Sequence, residues 1–205
     1  MKYQELVLHF KAQKYFSLDQ IRLFEPNFLV QNIYNRIDQG YLTQITKWWY
    51  CFSDIALDES TVQTIATTIY SPAYISMESG LRRYDLIPEW VPMVTWITTK
   101  KTQYLETSLG VRKLYHVHPK HFRGYTLAKN SWWGSFRLAE PEKVLCDFFY
   151  LKPHLWRDEF EELRIDPWQR EERISEKKIL EYAKRFGQKR LLRTITDFIS
   201  FMHHD

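Results

Sequence analysis

Tyr3, Leu6, Val7 and Phe10 recur at helical spacing and predict a first helix with one apolar stripe. Ser17-Leu-Asp-Gln20 then has the form of a capping box, in which the serine hydroxyl accepts from the third helical amide while the glutamine reaches back. The second helix that follows offers Leu18, Ile21 and Phe24 to a core. It stops before Pro26, because a residue ahead of proline is pushed out of the helical region. A third helix is expected over roughly residues 26–39, with Pro26 in its first turn and Gly40 as the left-handed residue after its last. On that helix Val30, Ile33, Tyr34 and Ile37 cluster on one side, and Phe28, Asn32, Asn35 and Gln39 lie opposite. Tyr41 to Ile45 and Trp49 to Phe52 are β-branched and aromatic, and read as strands joined through Thr46, Lys47 and Trp48. Helix, helix, helix, hairpin is the order of a winged helix-turn-helix.

The pattern changes at Glu59. A helix is expected around Thr61 to Tyr70, a break at Ser71-Pro72 and another helix near Met77 to Tyr84. Short strands are expected at 91–98, 103–109, 114–118, 125–127 and 135–138. Pro141 opens a helix whose Val144, Leu145, Phe148 and Phe149 form an apolar stripe. Ser175 caps the next, Gly187 ends it, and a last helix carries Leu191, Ile195, Phe198, Ile199 and Met202. The expected class is α+β: a winged helix-turn-helix over 1–58, then a mixed α/β domain over 59–205 with a C-terminal helical hairpin.

Composition narrows the function. The 205 residues are 44% hydrophobic and 17% aromatic, which excludes disorder. The six glycines have neither the spacing of a Walker loop nor that of a dinucleotide fingerprint. Cys51 and Cys146 belong to no CxxC pair, so neither a disulfide framework nor a zinc knuckle is indicated. Lys2, Glu5 and His9 stand where a signal peptide needs an apolar run, and no stretch has the composition of a membrane span. These features lead to the expectation of a soluble, cytoplasmic protein with no membrane partner. The net charge of +4 is unevenly spread, with six basic and six acidic residues over 1–58, ten and five over 59–139, and thirteen and fourteen over 140–205. The excess is in the middle.

The amide-rich face of the third helix is the sharpest candidate for chemistry. Asn27, Gln31, Asn32 and Asn35 can offer a donor and an acceptor together to an adenine edge in the major groove, while Arg36 and Lys47 are suited to phosphate. The plainer reading of the same block is a winged helix used for packing or dimerisation, since its charges cancel. Lys100, Lys101, Arg112, Lys113, Lys120 and Arg123 form a second candidate, a basic surface for nucleic acid or an acidic partner; in a folded domain such residues also make an ordinary solvated face. His116 and His118 alternate on the expected strand with His121 close behind, but no third ligand is spaced with them, so no metal is expected. Glu142 and Asp147 lie about 140° apart around a helix and make a poor acid/base pair; Glu142 reads as a first-turn carboxylate favoured by the helix dipole. No serine stands in a GxSxG elbow. Binding without a cofactor or a catalytic residue is the expectation.

The segment Ser71-Pro-Ala-Tyr-Ile-Ser-Met-Glu-Ser79, then Leu86-Ile-Pro-Glu89, then Leu138-Ala-Glu-Pro-Glu-Lys-Val-Leu-Cys-Asp147, resembles the AbiEi family of antitoxins, regulators of viral defence systems of the abortive-infection, type IV toxin-antitoxin kind. The resemblance runs over about residues 15–200. It implies an N-terminal winged helix that binds operator DNA and represses its own operon. It also implies a C-terminal antitoxin domain that counters a neighbouring nucleotidyltransferase-like toxin, with or without direct contact; it assigns no oligomeric state. Within the shared motifs, Pro72 and Pro141 read as helix starts and Tyr74, Ile75, Leu86 and Ile87 as core. The chain departs from the family at the wing, where Gln44-Ile-Thr-Lys-Trp-Trp-Tyr50 keeps a single basic residue and puts Trp48 in place of a glycine. The alternative is a protein-interaction module that contacts a toxin or other partner without sequence-specific DNA binding.

Overall fold

The computed structural model describes residues 1–88, 93–108, 110–129, 134–153, 160–165 and 167–203, with only the backbone of Glu162 and of Pro167 to Gln169. Their contacts form two compact units. The first holds Met1–Tyr70 with Glu106–Gly110 and Lys129–Phe136; the second holds Ser71–Leu105, Val111–Ala128 and Arg137–Asp205. The described residues are of mixed α+β class, with two sheets among them. Among the described residues no helix is long and apolar enough to cross a membrane.

The first unit runs α1 (Tyr3–Phe10), β1 (Tyr15–Ser17), α2 (Leu18–Phe24), α3 (Gln31–Asp38), β2 (Leu42–Thr46), β3 (Trp49–Phe52) and α4 (Glu59–Ile69). The capping box forms: the Gln20 amide donates to the Ser17 hydroxyl at 3.1 Å, and the Ser17 amide to the Gln20 side chain at 2.8 Å. An antiparallel sheet of order β1-β3-β2 covers a core that includes Leu6, Phe16, Ile21, Ile33 and Phe52. Capped by Asp58, α4 packs Ile65 against Ile45 and Cys51. The compact unit therefore continues to Tyr70, past the change of pattern at Glu59.

The third helix departs from its expected span. It begins at Gln31, not Pro26, and residues 26–30 form turns in which the Phe28 amide donates to the Glu25 carbonyl. The reason is Phe28. A continuous helix sets residues 28 and 33 about 140° apart, which would leave one of them in water. Both Phe28 and Ile33 are buried here, so the helix starts after the phenylalanine has been folded in. Tyr34, expected on the core side, is exposed.

The second unit carries β4 (Ala73–Ile75), α5 (Met77–Arg83), β5 (Val94–Thr98), α6 (Pro141–Leu151), α7 (Pro167–Arg173), α8 (Glu176–Phe186) and α9 (Lys189–Met202). The six-stranded sheet adds β6 (Gln103–Thr107), β7 (Gly110–His116), β8 (Tyr125–Lys129) and β9 (Ser135–Ala139), in the order β6-β7-β5-β4-β9-β8. β4 is antiparallel to β5 and parallel to β9, and β5 is parallel to β7. Strands β1 and β4 and helix α7 are additions to the elements expected from sequence. Ala73, Tyr74 and Ile75 are all fully buried, so β4 has no polar-apolar alternation to reveal it. α5, α6, α8 and α9 bury a core that includes Leu81, Val144, Phe149, Ile179, Leu191 and Phe198.

Candidate nucleic-acid interface

Burying Ile33 turns Gln31, Asn32 and Asn35 of α3 outward, and all three are exposed. The Gln31 amide donates to the Asn35 side-chain oxygen at 3.1 Å, which preorders two of the three amides along one strip of the helix. Asn27 is exposed but lies in the turn ahead of α3, so it leaves the helical face on which it was expected. Arg36 is held back toward the protein: its guanidinium donates to the Met1 carbonyl at 2.7 Å and lies 5.8 Å from the Phe28 ring centre. The amides and the arginine of α3 are thus separated.

β2 and β3 meet at a two-residue turn of Lys47 and Trp48. Lys47 is exposed and sits over the Trp48 ring at 5.2 Å. The Trp48 carbonyl accepts from the Leu18 amide at 2.9 Å, fastening the turn to the first residue of α2. That bond satisfies one of the amides a helix leaves open at its start.

The basic residues of the second unit divide. β5 and β7 run parallel and finish side by side, with Thr98 paired to His116, so the segments that follow them emerge at one end of the sheet. Lys100, Lys101, Lys120 and Arg123 lie on those segments and are exposed. Arg112 overturns the surface expectation: it faces Val94 toward the other end of β7, is 1% exposed, and stacks on Trp96 at 5.6 Å. A guanidinium beside an indole face gains cation–π attraction and covers its stem, which lets it lie under the surface. Lys113 is half-buried between the rings of Tyr104 and Tyr115.

The histidines do not share a strand face. β7 ends at His116, and His118 caps a single 3₁₀ turn over Pro119–His121, accepting from the Lys120 amide. Proline has no amide to continue the ladder, which explains the early end of the strand. His116 contacts the Lys100 carbonyl through Nδ1 at 3.0 Å, while His121 is buried and stacks on Phe186 at 4.4 Å. Desolvation, with Lys120 and Lys143 nearby, pulls the His121 imidazole down to about 4.

The motif residues hold a polar network that the sequence reading passed over. Tyr74 and Ser76 from β4 and its end, with Lys143 and Asp147 from α6, are all buried. One Asp147 oxygen accepts from the Tyr74 hydroxyl at 3.0 Å and the Ser76 hydroxyl at 2.9 Å; the other accepts from Lys143, whose ammonium also donates to the Tyr74 oxygen at 2.9 Å. Burial pushes the Asp147 carboxyl up, and these donors pull against it. A lysine and an aspartate four residues apart on one helix were the available signal. Glu142 is also buried, accepting from the Ser175 amide at 3.1 Å and facing Lys178 at 3.3 Å. Burial raises the Cys51 thiol to about 11 and raises that of Cys146 as well.

No protein-family model matches the chain, and no curated protein matches it.

Proposed function

We propose that the protein is an antitoxin and transcriptional autorepressor of the AbiEi type, acting by binding. In this reading α2 and α3 form the helix-turn-helix, β2 and β3 form the wing, and the second unit counters a nucleotidyltransferase-like toxin encoded beside it. The observation that carries the reading is the exposed strip of Gln31, Asn32 and Asn35 on a helix anchored by Ile33. Side-chain amides on a rigid helix are suited to adenine edges, since each offers a donor and an acceptor together. The exposed Lys100, Lys101, Lys120 and Arg123 at one end of the sheet supply a basic surface for the second activity. A gel-shift titration with the region upstream of its own coding sequence, beside co-expression with the neighbouring toxin, tests both halves.

A second reading, an interaction module without sequence-specific DNA binding, is favoured by a different observation. Leu8, Leu23, Phe24 and Leu29 of the first unit are each more than half exposed. Exposed apolar side chains are a ready contact for a protein partner, whose own apolar groups cover them on binding. Toxin neutralisation by a protein that shifts no upstream DNA is the result that selects this reading.

A further inference from the structure

Trp48 has a backbone φ of +69°, in the left-handed region that glycine enters freely and a bulky side chain enters at a cost. The turn needs that conformation, because it aims the Trp48 carbonyl at the Leu18 amide that starts α2. It does not need the indole. Lys14, Met77, Asp85 and Arg164 also have positive φ, but Lys14 and Met77 are buried, and Asp85 and Arg164 carry charged side chains that water accommodates. The Trp48 ring is 39% exposed, with the Lys47 ammonium against it. The fold thus leaves part of a large aromatic ring open to solvent, at a position where glycine would serve the backbone better. A residue kept in an unfavourable backbone conformation while part of its ring stays open to solvent points to a contact outside the chain.

We infer that Trp48 is a stacking residue for DNA, wedging its indole against a base step while Lys47 meets the adjoining phosphate. The inference rests on the DNA-binding reading above and specifies how a turn with one basic residue takes part in it. A planar ring at the tip of an anchored turn suits partial unstacking of a base step, a contact that tolerates sequence and replaces the charge this turn lacks. The rigid anchoring matters, since a ring already fixed in place loses little freedom on insertion.

The test uses the full chain and a duplex of its own upstream region, with 2-aminopurine placed at successive steps to report unstacking. Trp48→Gly removes the ring and relieves the backbone, so it is expected to keep the parent's fold by far-UV circular dichroism. It should bind about tenfold more weakly, consistent with the loss of one stacked base, and lose the 2-aminopurine signal that the parent gives. Trp48→Phe should keep most of both. If the parent and Trp48→Gly bind equally while Asn32→Ala with Asn35→Ala weakens binding, the wedge is wrong and the DNA reading stands. If the parent binds no upstream duplex, both fall. Loss of toxin neutralisation by Trp48→Gly with DNA binding unchanged also overturns the wedge and makes the ring a protein contact.

Discussion

Lys143 and Asp147 form an ion pair one turn apart on α6, with both side chains closed to solvent. The pair survives burial because Tyr74 and Ser76 give the carboxylate two further donors. Removing one member leaves an uncompensated charge in the core. Asp147→Ala is therefore expected to destabilise the protein by about 3–5 kcal/mol in denaturant unfolding. The double variant Lys143→Met with Asp147→Leu should recover part of that loss, since it leaves no buried charge, while the Tyr74 and Ser76 hydroxyls lose their acceptor.

His121 should make stability fall with acid. Its imidazole titrates at about 4 in the folded protein against an ordinary value of 6.5. Between those values the unfolded chain takes a proton that the folded one refuses, so stability is full above about pH 6.5 and declines as pH falls toward 4. The loss is expected to be about 3 kcal/mol. Replacing His121 by Phe, which keeps the stack on Phe186, should remove this part of the pH dependence in melts taken across the range.

On α3, Asn32→Ala with Asn35→Ala should weaken upstream-DNA binding by about 1–3 kcal/mol per lost bidentate contact and relax sequence preference. Thermal stability should hardly move, because both side chains are exposed. Arg36→Ala should behave oppositely, lowering the melting temperature through loss of its contacts to Met1 and Phe28. Equal DNA affinity for the parent and the asparagine double variant would refute the recognition face.

Charge reversal separates the basic residues by position. Lys100→Glu, Lys101→Glu, Lys120→Glu and Arg123→Glu together should leave folding intact and abolish toxin neutralisation on co-expression, while promoter binding persists. Arg112→Glu alone should unfold the second unit, because it buries a carboxylate against Trp96. Far-UV circular dichroism distinguishes the two outcomes, and full rescue of growth by the fourfold variant would refute the basic surface.

Gly80 marks a close approach of two helices. A β-carbon there would meet the Val144 side chain at 2.7 and 2.9 Å, so α5 and α6 would have to part. Gly80→Ala is expected to cost about 1–3 kcal/mol in denaturant unfolding, and Val144→Ala in the same chain should restore part of it.

Several signals that act within one helical turn were legible in the sequence, although Pro26 stands in a turn and Pro72 ahead of β4, and neither starts a helix. Ser17 and Gln20 cap α2, Pro141 starts α6, Ser175 caps α8 and Gly187 ends it, because each depends only on backbone groups a few residues away. The apolar periods of α6, α8 and α9 named the buried faces for the same reason. Tertiary structure decided whatever required a partner from another element. Phe28 took a place in the core beside Ile33 and shortened α3; Trp96 gave Arg112 a surface to lie on and drew it out of the basic patch. Tyr74 and Ser76 arrived from β4 to make a buried Lys143 and Asp147 tolerable. A charged residue is read from sequence as exposed because desolvation is costly, and only the groups that fold against it determine where that cost is offset.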